Sequence, residues 1–182
     1  MTTLYHEFEG SGEFAKKVMA LLGIRGKIKS AVQHDRTGKT LTDKTKCAKI
    51  EVAPEKRGVE SLEFDRLIRT GFSFKTGDHL KDELKLTDIQ LAEALGLSPK
   101  TLQRKRKTHE RLSRVESDIL YRTARIFALA ALVIEDEGLA KEWMHKSQHG
   151  LGGRIPFEMI QTEAGAREVE DLLLRIEYGV YS

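Results

Sequence analysis

The sequence predicts an all-α, mostly helical fold with a helix-turn-helix module, a further small helical domain and a partly irregular N-terminal extension. Three observations lead there. Leu, Ala, Glu, Lys and Arg are abundant while aromatics make up 7% and prolines number three, which favours helices over many short strands. Apolar residues recur at offsets of three, four and seven in several segments. Helix punctuation is dense between residues 87 and 116, where three hydroxyl N-caps and a first-turn proline follow one another.

With 182 residues, a 40% hydrophobic fraction, 32% charged residues and a mean hydropathy of −0.42, the chain has enough apolar side chains to bury a core. The longest apolar-looking run, residues 126–134, is far short of the roughly 20 residues a bilayer span requires. The N-terminus shows no apolar segment behind basic residues. Cys47 is the single cysteine, so neither an intramolecular disulfide nor a thiolate metal cluster can form, which fits a reducing compartment. The expectation is a cytoplasmic protein without a membrane partner.

Phe14, Val18, Leu21 and Leu22 share one helical face that Gly23 can close, so a short amphipathic helix opens the chain. Residues 25–58 mix Lys and Arg with Thr, Asp and Gly, and only Lys49 to Ala53 alternates enough for a short strand. This stretch reads as an irregular arm or linker. Residues 59–68 carry Leu62, Phe64, Leu67 and Ile68 in a helical pattern, and Gly71 to Gly77 reads as a break, after which Leu80 and Leu84 lie one turn apart on a core face.

Thr87 and Gln90 form a capping-box pair around Asp88 and Ile89. The helix they open turns Leu91, Ala92 and Leu95 inward, Gly96 suits a left-handed closing residue, and Leu97 can dock the turn. Ser98 and Pro99 then supply an N-cap and a proline where its missing N–H is harmless. Two short helices joined by a three-residue glycine turn make the helix-turn-helix pattern, with a plain helical hairpin as the alternative. Charge weighs on the choice. Between Lys100 and Arg125 there are nine basic and three acidic residues, a local field that attracts a polyanion. A solvated basic face without a ligand is the other reading, but it leaves unexplained why the charge sits on the helix that geometry assigns to the major groove. The candidate DNA-contacting set is Ser98, Pro99, Lys100, Thr101, Gln103, Arg104, Lys105, Arg106 and Lys107. Gln103 suits adenine, Arg104 or Arg106 suits guanine, and Lys100, Lys105 and Lys107 suit phosphates.

Ser113 and Glu116 form a second capping box, launching a long helix through Ile119, Leu120, Ala124, Phe127, Ala130, Ala131 and Ile134 that should form the main core. A shorter helix holds Ala140, Trp143 and Met144. His145 and His149 have the four-residue spacing of a helical metal pair but no third ligand, so no metal site is expected. Leu151, Gly152 and Gly153 make a turn, Pro156 begins a short helix through Ile160, and Val169, Leu172, Leu173 and Ile176 line a last helix that Gly179 can stop. Residues 154–182 hold three basic and six acidic residues, so this end should meet a different partner from the basic stretch. Tyr178, Val180 and Tyr181 make the tail apolar for a chain end, which predicts that it docks.

From about Gly71 to Ser182 the chain resembles the MbcA/ParS/Xre family of antitoxins, the partners of RES-domain toxins. The resemblance rests on Thr101, Leu102, Gln103 and Arg104 in the recognition helix, Leu112 and Ser113 with Glu116, Ser117 and Asp118, Trp143, and Leu151 to Arg154 with Pro156. It continues through Thr162 to Val169 and Arg175 to Gly179, all in family order. It implies a helix-turn-helix part that represses its own operon and a C-terminal domain that binds an NAD-consuming toxin and obstructs its active site. The toxin-contacting positions it implies are Arg154, Pro156, Arg175, Glu177, Tyr178, Gly179, Val180, Tyr181 and Ser182, and the acidic Glu168, Glu170 and Asp171 would suit a positive toxin cleft. Two positions depart from the pattern. Ile155 replaces the usual Thr or Ser before Pro156, weakening that helix start by about 1 kcal/mol, and Lys105 stands at a commonly apolar position.

The expected organisation is an N-terminal extension over residues 1–58, a helix-turn-helix domain with the long helix over 59–137, and a C-terminal toxin-binding domain over 138–182. The extension can add DNA contacts, oligomer contacts or nothing. No Ser-His-Asp set, phosphate-cradling glycine loop or carboxylate pair presents itself, so the expectation is a non-catalytic protein without cofactor. Its partners would be a RES toxin, operator DNA and a second copy in a homodimer. The alternative is a stand-alone transcriptional regulator whose C-terminal domain dimerises or senses a ligand.

Overall fold

In the computed structural model, residues 12–24 and 57–179 are described. They form an all-α array without strands, as the composition predicts. The helices are α1 (Gly12–Leu21), α2 (Arg57–Thr70), α3 (Phe74–Leu84), α4 (Asp88–Ala94), α5 (Pro99–Thr108), α6 (Arg114–Val133), α7 (Glu137–His145), α8 (Pro156–Met159) and α9 (Glu163–Glu177). Cys47, the possible strand at Lys49 to Ala53 and most of the N-terminal extension lie outside the described residues.

The 20 residues of α6 span about 30 Å, and from Ile126 to Val133 it is apolar all round. A helix of that kind is stable only when enclosed. Ala124, Ile126, Phe127, Ala128, Leu129 and Ala130 are each at most 1% exposed, and the small alanines let α1, α2, α7 and α9 all pack against this one helix. Ser113 starts it as foreseen, its hydroxyl accepting from the Glu116 N–H while Glu116 accepts from the Ser113 N–H at 2.6 Å. α6 ends in a turn where Glu135 adopts φ 58° and Asp136 caps α7, which begins at Glu137. α9 nonetheless lies along α6, so the two halves share a helix.

α1 forms where the apolar spacing placed it, with Gly23 at φ 60° just past its end. It is not a loose arm. Phe14, Val18 and Leu22 are buried against the core around α6, Lys17 pairs with Glu137 at 2.9 Å, and the Ala20 carbonyl is 2.9 Å from His79 Nε2 on α3.

Two local expectations change. Leu62 does not face the core; it is 69% exposed, because Phe64 takes the inward position and stacks on Tyr121 with centroids 4.8 Å apart. The segment from Gly71 to Gly77 is not a break throughout. α3 begins at Phe74 behind the N-cap Ser73, and Gly77 is a buried helical residue. Gly71 alone carries the turn at φ 78°, where a Cβ would meet the Leu112 carbonyl at 2.2 Å. That close approach permits the Leu112 N–H to bond the Phe72 carbonyl at 2.8 Å, seating the start of α6 beside α3.

Candidate functional site: a basic helix face and a C-terminal end

The turn between α4 and α5 closes as the sequence reading proposes. Thr87 and Gln90 make a full capping box, Gly96 sits at φ 65°, and the Leu97 N–H bonds back to the Ala92 carbonyl at 2.8 Å. Ser98 then caps α5, its hydroxyl accepting from the Thr101 N–H at 3.1 Å. Leu91, Ala92 and Leu95 of the first helix and Leu102 of the second are all buried. Leu102, at 0% exposed, fixes which side of α5 faces in.

With Leu102 inside, helical spacing also turns the residues three and four places later inward. That corrects the expectation for Lys105 and Arg106. Lys105 does not project toward a phosphate; its ammonium meets both Glu116 oxygens at 2.8 and 2.9 Å, and the two side chains are 12% and 9% exposed. Burial raises the Glu116 carboxyl, but the Lys105 ammonium and the Ser113 backbone outweigh it and leave it below its ordinary value. The charge at a commonly apolar position is thus neutralised within the fold. Arg106 does not face the groove side. It donates to Asp78 of α3 at 2.7 and 3.0 Å and to Asp88 of α4 at 2.8 and 3.0 Å, with its guanidinium 5.5 Å from the Phe74 ring centroid. Hydrogen bonds from Arg106 and then Lys81 hold Asp88 well below the carboxylate range. One arginine therefore ties three helices together.

What remains outward on α5 is a stripe. Lys100, Gln103, Arg104 and Lys107 occupy offsets of zero, three, four and seven, and each is exposed. Ser98 and Pro99 are exposed at its leading end, and Thr101 is half-buried with its hydroxyl 2.9 Å from that of Ser98. Beyond α5, Arg111 donates to the Gly71 carbonyl at 2.7 and 3.0 Å, Arg122 pairs with Asp118 and with Glu163, and Arg125 pairs with buried Glu170. Lys105, Arg106, Arg111, Arg122 and Arg125 are thus engaged internally. The outward positive surface is narrower than the charge count suggests: Lys100, Arg104 and Lys107, of which Arg104 is paired with Glu110, with exposed Arg114 nearby in sequence. Its helix spacing, length and side-chain types suit insertion into a major groove, with Gln103 and Arg104 able to address base edges.

Sequence reasoning missed the acidic partners. Asp78, Asp88 and Glu116 hold Arg106 and Lys105, and Glu110 accepts from Arg104 Nη1 at 2.5 Å. Lys105 at a commonly apolar position was the one available signal that an acidic side chain must lie beneath.

At the other end, the Gln148–Arg154 hairpin is closed by the Gln148 N–H to Arg154 carbonyl bond at 3.0 Å. It exposes Gly152 and Gly153 at φ 65° and 79°, with nothing near their missing side chains. Arg154 is exposed beside them. Pro156 is buried, so it shapes the fold under this surface and offers no contact face. Ile155 supplies no side-chain cap to α8, as its identity implied. α9 starts on Thr162, whose hydroxyl accepts from the Gly165 N–H at 3.1 Å. It runs past the hairpin, where Gly150 abuts Leu172 and Arg175 reaches the Gly150 carbonyl at 3.5 Å. Hairpin and helix end therefore form one surface on which Glu177, Tyr178 and Gly179 are exposed. Val180, Tyr181 and Ser182 lie outside the described residues. Of the acidic residues assigned to a positive cleft, Glu168 and Asp171 are exposed, whereas Glu170 is withdrawn into its pair with Arg125. His145 is tilted against Phe157 with centroids 4.9 Å apart, and burial lowers its pKa. Among the described residues no group of three His, Cys, Asp or Glu is placed to hold a metal, and no helix is long and apolar enough to cross a membrane.

Comparison with known proteins finds two family models that meet within α6. Residues 63–125 match the model of the antitoxin Xre-like helix-turn-helix domain, and residues 128–179 match that of the antitoxin Xre/MbcA/ParS C-terminal toxin-binding domain. The chain is similar to the antitoxin Xre of Yersinia enterocolitica, 34% identical over 116 residues that cover 63% of this chain and 78% of that protein. It is also similar to the antitoxin Xre of Pseudomonas putida, 32% identical over 118 residues, 65% of this chain and 73% of that one. The antitoxin Xre of Photorhabdus laumondii is 38% identical over 68 residues, 37% of this chain and 46% of its own.

Proposed function

The chain belongs to the Xre/MbcA/ParS antitoxins, and from that premise we propose that it neutralises a RES-domain, NAD-degrading toxin with its C-terminal end and represses its own operon through the outer face of α5. It acts by binding and carries out no catalysis. Membership supplies the helix-turn-helix and toxin-binding modules. The RES partner follows from the ordered blocks at Leu151 to Arg154 and Arg175 to Gly179, and operator binding from the basic stripe.

The observation that carries the DNA half is the sorting of α5. Its inward cations are bound to acidic residues of the fold, while Lys100, Gln103, Arg104 and Lys107 stand outward without a core duty. In the toxin half, Arg154, Arg175, Glu177, Tyr178 and Gly179 lie around the end of α9, and Val180, Tyr181 and Ser182, next in sequence, are assigned to the toxin cleft. A homodimer would present two α5 helices to paired half-sites. The protein works in the cytoplasm, where operator and NAD both reside. A stand-alone regulator is disfavoured because the C-terminal residues match a toxin-binding domain.

Co-expression with the product of the adjacent gene, expected to be a RES protein, followed by co-purification and an NAD assay, tests the reading. The full chain is expected to suppress NAD loss, and a chain lacking residues 179–182 is expected to remain folded and fail to suppress it. Suppression by the truncated chain would contradict the plug. No association with the RES protein would contradict the assignment.

A further inference from the structure

Arg104 is the exposed residue of α5 best suited to read guanine, yet in the DNA-free fold its guanidinium is already occupied. Nη1 lies 2.5 Å from a Glu110 carboxylate oxygen. The two residues are six apart in sequence and meet because the chain reverses immediately after α5. His109 takes φ 52°, the Glu110 N–H bonds the Lys105 carbonyl at 3.2 Å, and Glu110 is thereby pointed back along the helix. Its side chain is 38% exposed against 57% for Arg104, so the carboxylate is the more fixed partner. The Arg104 hydrogen bond also holds that carboxyl below its ordinary value. No other acidic side chain is paired with the outward stripe of Lys100, Gln103, Arg104 and Lys107 among the described residues.

We propose that Glu110 is an autoinhibitory residue of the DNA-binding face, a built-in competitor that occupies Arg104 in the free protein and must be displaced before Arg104 can pair with a base. This rests on the DNA-binding reading above. A single phosphate oxygen offers Arg104 little more than the carboxylate it must leave, so on random sequence the exchange gains nothing. The N7 and O6 atoms of a correctly placed guanine accept two hydrogen bonds from the planar guanidinium. That pairing displaces Glu110. Because that pairing must break the Arg104–Glu110 contact, the carboxylate weakens operator binding at least as much as nonspecific attraction.

The test is the affinity of the full chain for two duplexes of equal length, one carrying the region upstream of its own coding sequence and one of random sequence, across a salt series. In Glu110→Gln, Arg104 is released to a phosphate. One such contact contributes a salt slope of about 0.9, which is about fivefold in affinity near 0.15 M salt. Random-duplex binding should therefore tighten about fivefold and its salt slope steepen by about one, and binding to the upstream duplex should tighten by at least as much. In an Arg104→Ala background the same Glu110 change should produce no comparable gain. Glu110→Ala should reproduce Glu110→Gln, and melting curves report that each variant is folded. Unchanged random-duplex affinity, equal weakening on both duplexes, or a gain that persists without Arg104 would each overturn the inference. Failure of the unmodified chain to bind either duplex would instead remove the DNA-binding reading itself, before any variant is compared.

Discussion

Lys105 carries a positive charge on the helix assigned to DNA, yet the fold uses it internally. A buried ammonium facing a buried carboxylate contributes little over an apolar pair, but removing one partner leaves the other stranded at a cost of about 3–5 kcal/mol. Lys105→Ala should therefore lower the unfolding free energy by roughly 3 kcal/mol while leaving random-duplex affinity unchanged, and urea unfolding beside a binding titration checks both. The pH dependence has a definite sign. Because Glu116 is held below its ordinary value in the fold, its contribution is present above the unfolded glutamate value of about 4.3 and fades as pH falls through the lower folded value. The wild type should lose more stability between pH 6 and pH 3 than Glu116→Gln does, and parallel losses would contradict this role. Lys100, Gln103, Arg104 and Lys107 were legible as outward residues from the position of Leu102. Lys105 and Arg106 were misplaced because their partners lie 11 and 28 residues away, beyond what helical spacing reports.

Side-chain caps made three helix starts legible. Thr87, Ser98 and Ser113 each accept from the backbone N–H three residues on, so α4, α5 and α6 start where hydroxyl residues precede apolar periodicity. α3 was hidden because Ser73 makes no side-chain cap, its hydroxyl lying 3.3 Å from that of Thr76, and because Gly71 and Gly77 looked like one glycine break. Gly165 in α9 is a sharper case. In an open helix, Gly→Ala stabilises by up to about 1 kcal/mol. Here a Cβ would sit 2.1 Å from the Met159 carbonyl oxygen, so the sign reverses. Gly165→Ala should destabilise the protein by roughly 1–3 kcal/mol, read as a lower Tm. An unchanged or higher Tm would mean that α8 and α9 part more easily than their packing implies.

The described residues are organised by α6, which packs against α1, α2, α7 and α9. Sequence patterning identified that helix as the core, since its apolar run is too long for one face and too short for a membrane. It did not reveal that α1 docks on it, because a ten-residue amphipathic helix has the same pattern whether or not a partner is present. Around this core, the α5 stripe and the hairpin-and-α9 surface use separate side chains, so the two activities should be separable. The most direct measurement is the affinity of the Lys100→Ala, Arg104→Ala, Lys107→Ala variant for the upstream duplex, with capture of the co-expressed RES protein as the internal control. Three lost phosphate or base contacts predict roughly a hundredfold weaker DNA binding near 0.15 M salt with toxin capture intact. Unchanged DNA affinity, or loss of toxin capture along with it, would contradict the account.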